Sequence, residues 1–224
     1  MDGKVDIVLN LSFKFLMKIF YENYWKERGR SGNRPRYRIF SQWIDEGSRV
    51  LDVGCGDGYF GEFLVNNKRV DYTGSDISDT ALQAAKSRGL NVISLDASND
   101  LDRFAPGSFD FIVMSEFIEH VPNSEEVLRI AGRIAKKGVL ISIPNIAYWK
   151  FRLQLLFGNF PKQWAVAPEE HLRYWSVDDF KKTVKSIGFE IKEIKASNGK
   201  KILRDMWPNL FGFQVCFYLK PKSL

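Results

Sequence analysis

Val50-Leu51-Asp52-Val53-Gly54-Cys55-Gly56-Asp57-Gly58 reads as a buried apolar strand that runs into a glycine loop and then into a helix. Glycines at alternate positions let the backbone approach a ligand with no Cβ in the way, and they supply the positive φ that a sharp strand-to-helix turn needs. A second strand-like run, Val70-Asp71-Tyr72-Thr73-Gly74-Ser75, ends at Asp76. A carboxylate about 20 residues beyond such a loop falls at the tip of the neighbouring parallel strand, where a ribose would be held.

The closest rival reading is a nicotinamide-binding loop, which requires a third glycine three residues after the second. Tyr59 stands at that position, and Gly58 comes one residue earlier. The string Asp-x-Gly-x-Gly-x-Gly resembles instead the first motif of the class I S-adenosylmethionine-dependent methyltransferases. That resemblance implies a glycine loop lying against the methionine part of the cofactor and a carboxylate after the second strand on the ribose hydroxyls.

A length of 224 residues with 45% hydrophobic composition suits one domain with a sizeable core. The net charge of +6 is spread along the chain without a block of like charges, and Lys195, Lys200, Lys201 and Arg204 read as a solvated loop. Nucleic acid is therefore a minor hypothesis. Two cysteines, Cys55 and Cys216, lie far apart and suggest neither a metal nor a redox pair, which fits a reducing cytoplasm. The two histidines, His120 and His171, are too few and too separated in sequence for a zinc site, so no metal is expected. The apolar run from Val5 to Phe20 is broken by Asp6, Asn10, Lys14 and Lys18, and reads as neither a signal peptide nor a membrane span.

From Val5 to Arg28 the apolar residues recur at spacings of three and four, which predicts amphipathic helix ending at Ser31-Gly32-Asn33. It either packs on the sheet or serves as a lid carrying Tyr21, Tyr24 and Trp25. A short helix near Tyr37–Asp45 precedes an alternation of strands and helices. Strands are expected at Arg49–Val53, Val70–Gly74, Asn91–Leu95, Phe109–Met114 and Gly138–Ile143, with helices at Tyr59–Asn66, Asp79–Arg88 and Ser124–Ala135. Strands separated by helices pair in parallel through right-handed crossovers, which predicts a doubly wound α/β sheet. After the helix Val177–Ser186, the strands Phe189–Ile194 and Gly212–Leu219 follow one another and predict an antiparallel edge hairpin. The expectation is a mostly parallel, seven-stranded sheet of the Rossmann-like methyltransferase kind. Residues 1–46 form a helical lid segment of the same domain, residues 47–224 the cofactor-binding part, and 145–170 an insertion.

Ligands of open parallel sheets bind beyond the carboxyl ends of the strands. Expected cofactor contacts are accordingly Asp52, Gly54, Cys55, Gly56, Gly58 and Tyr59 at the first strand, Asp76 and Ile77 at the second, Asp96 and Ala97 at the third, and Ser115 and Glu116 at the fourth. The resemblance implies that Asp96 accepts the adenine amino group beside an adenine-facing amide. Glu116, His120 and His171 are the candidates to face a small-molecule acceptor, His120 as a base or an orienting group and Glu119 either with it or as part of a turn. Methyl transfer from a sulfonium needs in-line positioning and exclusion of water more than a dedicated base, so the absence of a nucleophile triad is compatible with it.

Ile143-Pro144-Asn145-Ile146-Ala147-Tyr148-Trp149-Lys150-Phe151-Arg152-Leu153 and Glu170-His171-Leu172-Arg173-Tyr174-Trp175-Ser176 resemble the methionine-biosynthesis protein MetW and its methyltransferase-like relatives. The likeness runs from Arg49 to Ile194. It implies an alternative role, a cofactor-binding regulatory partner of a homoserine acyltransferase. Tyr148, Trp149, Trp164, His171, Tyr174 and Trp175 either line an acceptor pocket or pack the insertion on the sheet.

Overall fold

The computed structural model describes residues 15–27, 31–161 and 171–222. Residues 15–27 form helix α1, and α2 follows at Pro35–Trp43. The alternation then runs β1 (Arg49–Val53), α3 (Tyr59–Asn67), β2 (Asp71–Asp76), α4 (Asp79–Ser87), β3 (Val92–Ser94), β4 (Phe109–Ser115), α5 (Ser124–Ile134) and β5 (Ala135–Pro144). Beyond it come α6 (Trp149–Leu156), α7 (Val177–Ser186), β6 (Phe189–Gly199), α8 (Leu203–Met206), α9 (Pro208–Phe211) and β7 (Gly212–Pro221).

The seven strands lie in the order β3-β2-β1-β4-β5-β7-β6. All neighbours are parallel up to β5, and β7 runs antiparallel between β5 and β6. The expected sheet and its terminal hairpin are therefore present. Chain order reverses between β1 and β4, and a crevice opens there at the carboxyl ends of the strands.

Consecutive strand residues point to opposite faces, so each central strand feeds two cores. Leu51, Ile112, Val139 and Phe217 join Val127, Leu128 and Ala131 of α5 and Phe180 of α7 on one face. Val50, Phe111, Leu140 and Cys216 meet Phe40 of α2, Phe60 and Leu64 of α3 and Ala85 of α4 on the other. Near-continuous apolar runs in the strands follow from this burial on both sides.

Three helices depart from the sequence expectation. Helix α6 lies within the stretch read as irregular, and α8 and α9 interrupt what was expected to be a plain hairpin loop. The reason is visible in their burial: α6 buries only Phe151, and the single turns α8 and α9 bury none of their residues. With no buried stripe they carry no helical periodicity in the sequence. Of the predicted N-terminal helix, residues 5–14 and Arg28 lie outside the described residues, as does Trp164 of the insertion.

Candidate functional site

The site is built on the carboxyl ends of β1 to β5. Gly54, Gly56 and Gly58 all have positive φ, at 73°, 56° and 77°. A Cβ at Gly54 would sit 2.3 Å from the Phe117 ring, and one at Gly56 would sit 2.4 Å from Trp25, so side chains are excluded by space as well as by backbone conformation. Gly58 ends the loop as the residue preceding α3.

Asp76, at the end of β2, closes the loop from below. One of its carboxylate oxygens accepts the Gly56 amide at 2.9 Å and the other accepts the Ser78 amide at 2.9 Å. Burial raises its pKa to about 6, against the pull of those amides. Each oxygen keeps a lone pair for another donor. Asp52 is 2% exposed, and Tyr72 donates its hydroxyl to one carboxylate oxygen at 2.7 Å. The other oxygen has no partner. Burial, opposed by the Tyr72 hydrogen bond and reinforced by the charge of Asp76, raises the Asp52 pKa to about 7.

Two cavities meet at this loop. One, of about 350 Å³, lies between the loop, Asp76, Ile77, Asp96, Ala97 and Phe117 on the sheet side and Met17, Tyr21, Tyr24 and Trp25 of α1 above. Asp96 there accepts hydrogen bonds from the Ser98 amide and the Asn99 side chain. The other cavity, of about 760 Å³, extends past Asp52, Cys55 and Tyr59 toward Glu116, Glu119, His120 and His171. Cys55 is buried against Gly74, and burial pushes its thiol pKa well up.

Helix α1 is anchored by its own polar side chains. Glu22 accepts the amides of Asp79 and Thr80 and the Thr80 hydroxyl at the start of α4, and Lys18 pairs with Asp79 at 2.9 Å. Partial burial works against ionisation of Glu22, but those hydrogen bonds prevail and hold its pKa below the usual carboxylate value. A carboxylate at a helix N-terminus is also favoured by the exposed amides and the dipole.

At the acceptor end, Glu116 has a positive φ of 53°, which is unusual for a residue with a side chain. Its amide bonds back to Ser142 of β5, and one carboxylate oxygen accepts from Gln214 at 2.7 Å while the other has no partner. Ile118–His120 form a single 3-10 turn. The backbone carbonyl of Glu119 accepts the amides of Leu172 and Arg173, and this brings His171 beside His120, with ring centroids 4.9 Å apart. The reading of the two histidines as isolated is therefore corrected: separation in sequence disappears where the Leu172-Arg173 backbone docks on the turn after β4. Burial lowers the His171 pKa, so its ring is neutral near pH 7.

Ser115 accepts Nε of Arg36 at 2.7 Å, so that candidate is engaged by a residue of α2. Arg36 and Gln214 line the larger cavity and were missed, because each arrives from a remote segment with no local motif. Glu119, read as a possible turn residue, is 1% exposed and points neither carboxylate oxygen at a hydrogen-bond partner. The aromatic residues of the insertion divide. Tyr148 packs on Phe151 and Phe213 and Trp175 on Phe180, so these rings hold the segment to the sheet, whereas His171 reaches the cavity.

Comparison with known proteins agrees with this architecture. The family model described as methionine biosynthesis protein MetW matches residues 34–219. The bifunctional methionine biosynthesis protein MetXA/MetW of Rhodopirellula baltica is 26% identical over 75% of the chain and 29% of its own length. A ubiquinone biosynthesis O-methyltransferase of Pseudomonas aeruginosa is 31% identical over 46% of the chain and 49% of its own length. The chain thus spans half or less of the length of these curated relatives. Among solved structures, magnesium protoporphyrin IX methyltransferase of Synechocystis PCC 6803, with bound SAH, superposes with a TM-score of 0.66 at 14% identity, covering 94% of this chain and 100% of that one. With the family match spanning β1 through β7, the chain belongs to the MetW family, on the class I methyltransferase fold.

Proposed function

We propose that this protein is an S-adenosylmethionine-dependent methyltransferase acting on a small-molecule acceptor. The single observation that carries the reading is the larger cavity, of about 760 Å³, which continues from the glycine loop to Glu116, Glu119, His120 and His171. A protein that only sensed the cofactor could fill that space with its own aromatic rings. The O-methyltransferase name of one relative supports an oxygen as the methylated atom.

The residues present fit the cofactor. Asp52 offers an unpartnered buried oxygen suited to an ammonium group, Arg36 offers a cation suited to a carboxylate, and Asp76 retains acceptor capacity for hydroxyls. Ile77, Asp96 and Ala97 line the cavity that would take the adenine. When bound, the cofactor supplies an electrophilic methyl group on a sulfonium. The chain's part is to orient the acceptor and exclude water, and α1 covers the smaller cavity with Trp25 over Gly56. His171, neutral near pH 7, is able to take a proton from an acceptor hydroxyl. Residues 15–27 act as this lid, α2 packs on the sheet through Phe40, and both belong to one domain with it.

Among the described residues no helix is long and apolar enough to cross a membrane. The unpaired, buried Cys55 and Cys216 support a reducing compartment such as the cytoplasm. A second reading, a regulatory partner of a homoserine acyltransferase, is favoured by the MetXA/MetW name of the Rhodopirellula relative.

Calorimetric titration with S-adenosylmethionine and S-adenosylhomocysteine tests the proposal. Micromolar binding by the wild type, followed by methyl transfer in a screen of hydroxylated acceptors, supports an enzyme. Absence of binding by either ligand refutes it. Binding without turnover, together with co-purification of the acyltransferase, would favour the regulatory reading.

A further inference from the structure

Glu119, His120 and His171 each offer one ligand atom, and these atoms lie within 4.8 Å of one another. Two features make this more than a chance cluster. Both carboxylate oxygens of Glu119 are buried without a hydrogen-bond partner, and so is Nδ1 of His171. An ionised carboxylate left unpaired costs several kcal/mol in an apolar setting, so a buried one either keeps its proton or is met by a bound counter-charge. Among the described residues no cation meets it directly: Arg36 acts on Glu119 only from a distance, and its Nε is given to Ser115. Glu116, which also has an unpartnered carboxylate oxygen, lines the same cavity.

We infer that Glu119, His120 and His171, with Glu116 beside them, bind a divalent metal ion at the acceptor end of the larger cavity. Two imidazoles with one or two carboxylates form a mixed nitrogen and oxygen set that suits manganese, iron, cobalt or zinc, and manganese above all if both carboxylates take part. Ligand atoms around such an ion stand roughly 3 to 3.5 Å apart, from bond lengths of about 2.1 Å, so binding one ion requires the three side chains to draw together from their present separation. His171 lies in the family string Glu170-His171-Leu172-Arg173, and the docking of Leu172 and Arg173 on the Glu119 carbonyl couples the site to that segment.

The position of the site also names a substrate class, and this part rests on the methyltransferase reading. An octahedral ion with three or four protein ligands keeps two or three coordination positions. Positions open toward a cavity of about 760 Å³ suit an acceptor that chelates through two neighbouring hydroxyl oxygens. The charge of the ion would polarise one of those hydroxyls and ease loss of its proton to solvent, so that in the metal-loaded protein His171 is a ligand and not the base.

The test uses the full chain, stripped with EDTA and titrated with MnCl2 by electron paramagnetic resonance and calorimetry, with ZnCl2 and MgCl2 in parallel. One tight site per chain for at least one of the three metals is expected, with affinity lowered at least 100-fold in both Glu119→Gln and His171→Asn. Circular dichroism and S-adenosylhomocysteine binding, each expected to be within about threefold or unchanged in these variants, show that the fold and the cofactor site survive. Saturable binding that the two substitutions leave unaltered, or no stoichiometric binding of any of the three metals at 1 mM, overturns the site. For the substrate class, catechol added to the metal-loaded protein is expected to change the Mn2+ resonance, and an unchanged spectrum overturns chelation. If the wild type binds metal but neither form of the cofactor, the methyltransferase reading fails while the metal site stands.

Discussion

The two halves of the crevice solve the problem of buried carboxylates differently. On the β1-β2-β3 side, Asp76 is held by backbone amides from Gly56 and Ser78, both within reach of one strand-turn-helix unit or its neighbour. On the β4-β5 side, Glu119 is buried at 1% exposure with no donor among the described residues, and its surroundings are assembled from segments before β1, after β4, near residue 171 and in β7. The first half is a cradle built largely from local units, with one oxygen of the buried Asp52 left unpartnered among the described residues. The second is a collection of groups from remote segments whose buried polar atoms find no partner among the described residues, which is what the proposed metal ion would supply.

The largest effect that would break this contrast is on the cradle side. Asp76→Ala removes the acceptor of two amides and of the proposed ribose contacts, and cofactor affinity is expected to fall at least ~100-fold, since hydrogen bonds to a charged group are worth about 1.5–3 kcal/mol each. Isothermal titration with S-adenosylhomocysteine measures it, and affinity within threefold of wild type would show that the loop, not the carboxylate, holds the ligand.

On the other side the corresponding support is Asn145, which is fully buried. Its amide nitrogen donates to the Gly212 and Asn209 carbonyls at 2.8 and 3.0 Å, and its oxygen accepts the Ala147 amide at 3.0 Å. Asn145→Ala leaves these backbone groups unpaired and is expected to cost about 2–4 kcal/mol, or roughly 5–15 °C in Tm for a domain of this size. A scanning-calorimetry shift below 2 °C would indicate that water replaces the side chain and that the segment after β5 does not depend on it.

A smaller change sharpens the role of the lid. Glu22→Gln keeps the shape but weakens the bonds to Asp79 and Thr80, and release of S-adenosylhomocysteine is expected to quicken by about threefold to tenfold, in line with one weakened charge-assisted bond. Stopped-flow displacement reads this directly. An unchanged release rate would make α1 a packing helix instead of a lid.

The mildest test is of pH. Asp52 and Asp76 titrate at about 7 and about 6 in the folded protein, against about 3.9 when unfolded. The folded state therefore binds more protons between those values, and stability of the cofactor-free protein is expected to fall as pH rises from about 4 to 7. Asp52→Asn should flatten the upper part of that decline, because the amide still accepts from Tyr72 and carries no charge. Thermal melts of both proteins across this range decide it, and parallel curves would place the charge penalty elsewhere.

Much of the cradle was legible because its causes are local. Asp52, Gly54, Gly56 and Gly58 sit on one strand and its turn, and Asp76 ends the next strand, so spacing along the chain carries the geometry. The parallel pairing of the strands and the doubly wound class followed from alternation and handedness. The acceptor end was legible only as candidates. Nothing adjacent to Arg36 signals that it reaches Ser115, nothing in α6, α8 or α9 signals a helix without a buried stripe, and the 4.9 Å approach of His120 and His171 depends on two amides docking on one carbonyl. By itself, then, the sequence determined the parallel sheet, the glycine turn and the carboxylates at the strand tips, because hydrophobic period and backbone conformation act over a few residues. Tertiary structure alone decided which remote cations, amides and imidazoles meet at the turn after β4, because such contacts depend on packing between distant segments and leave no periodic trace in the chain.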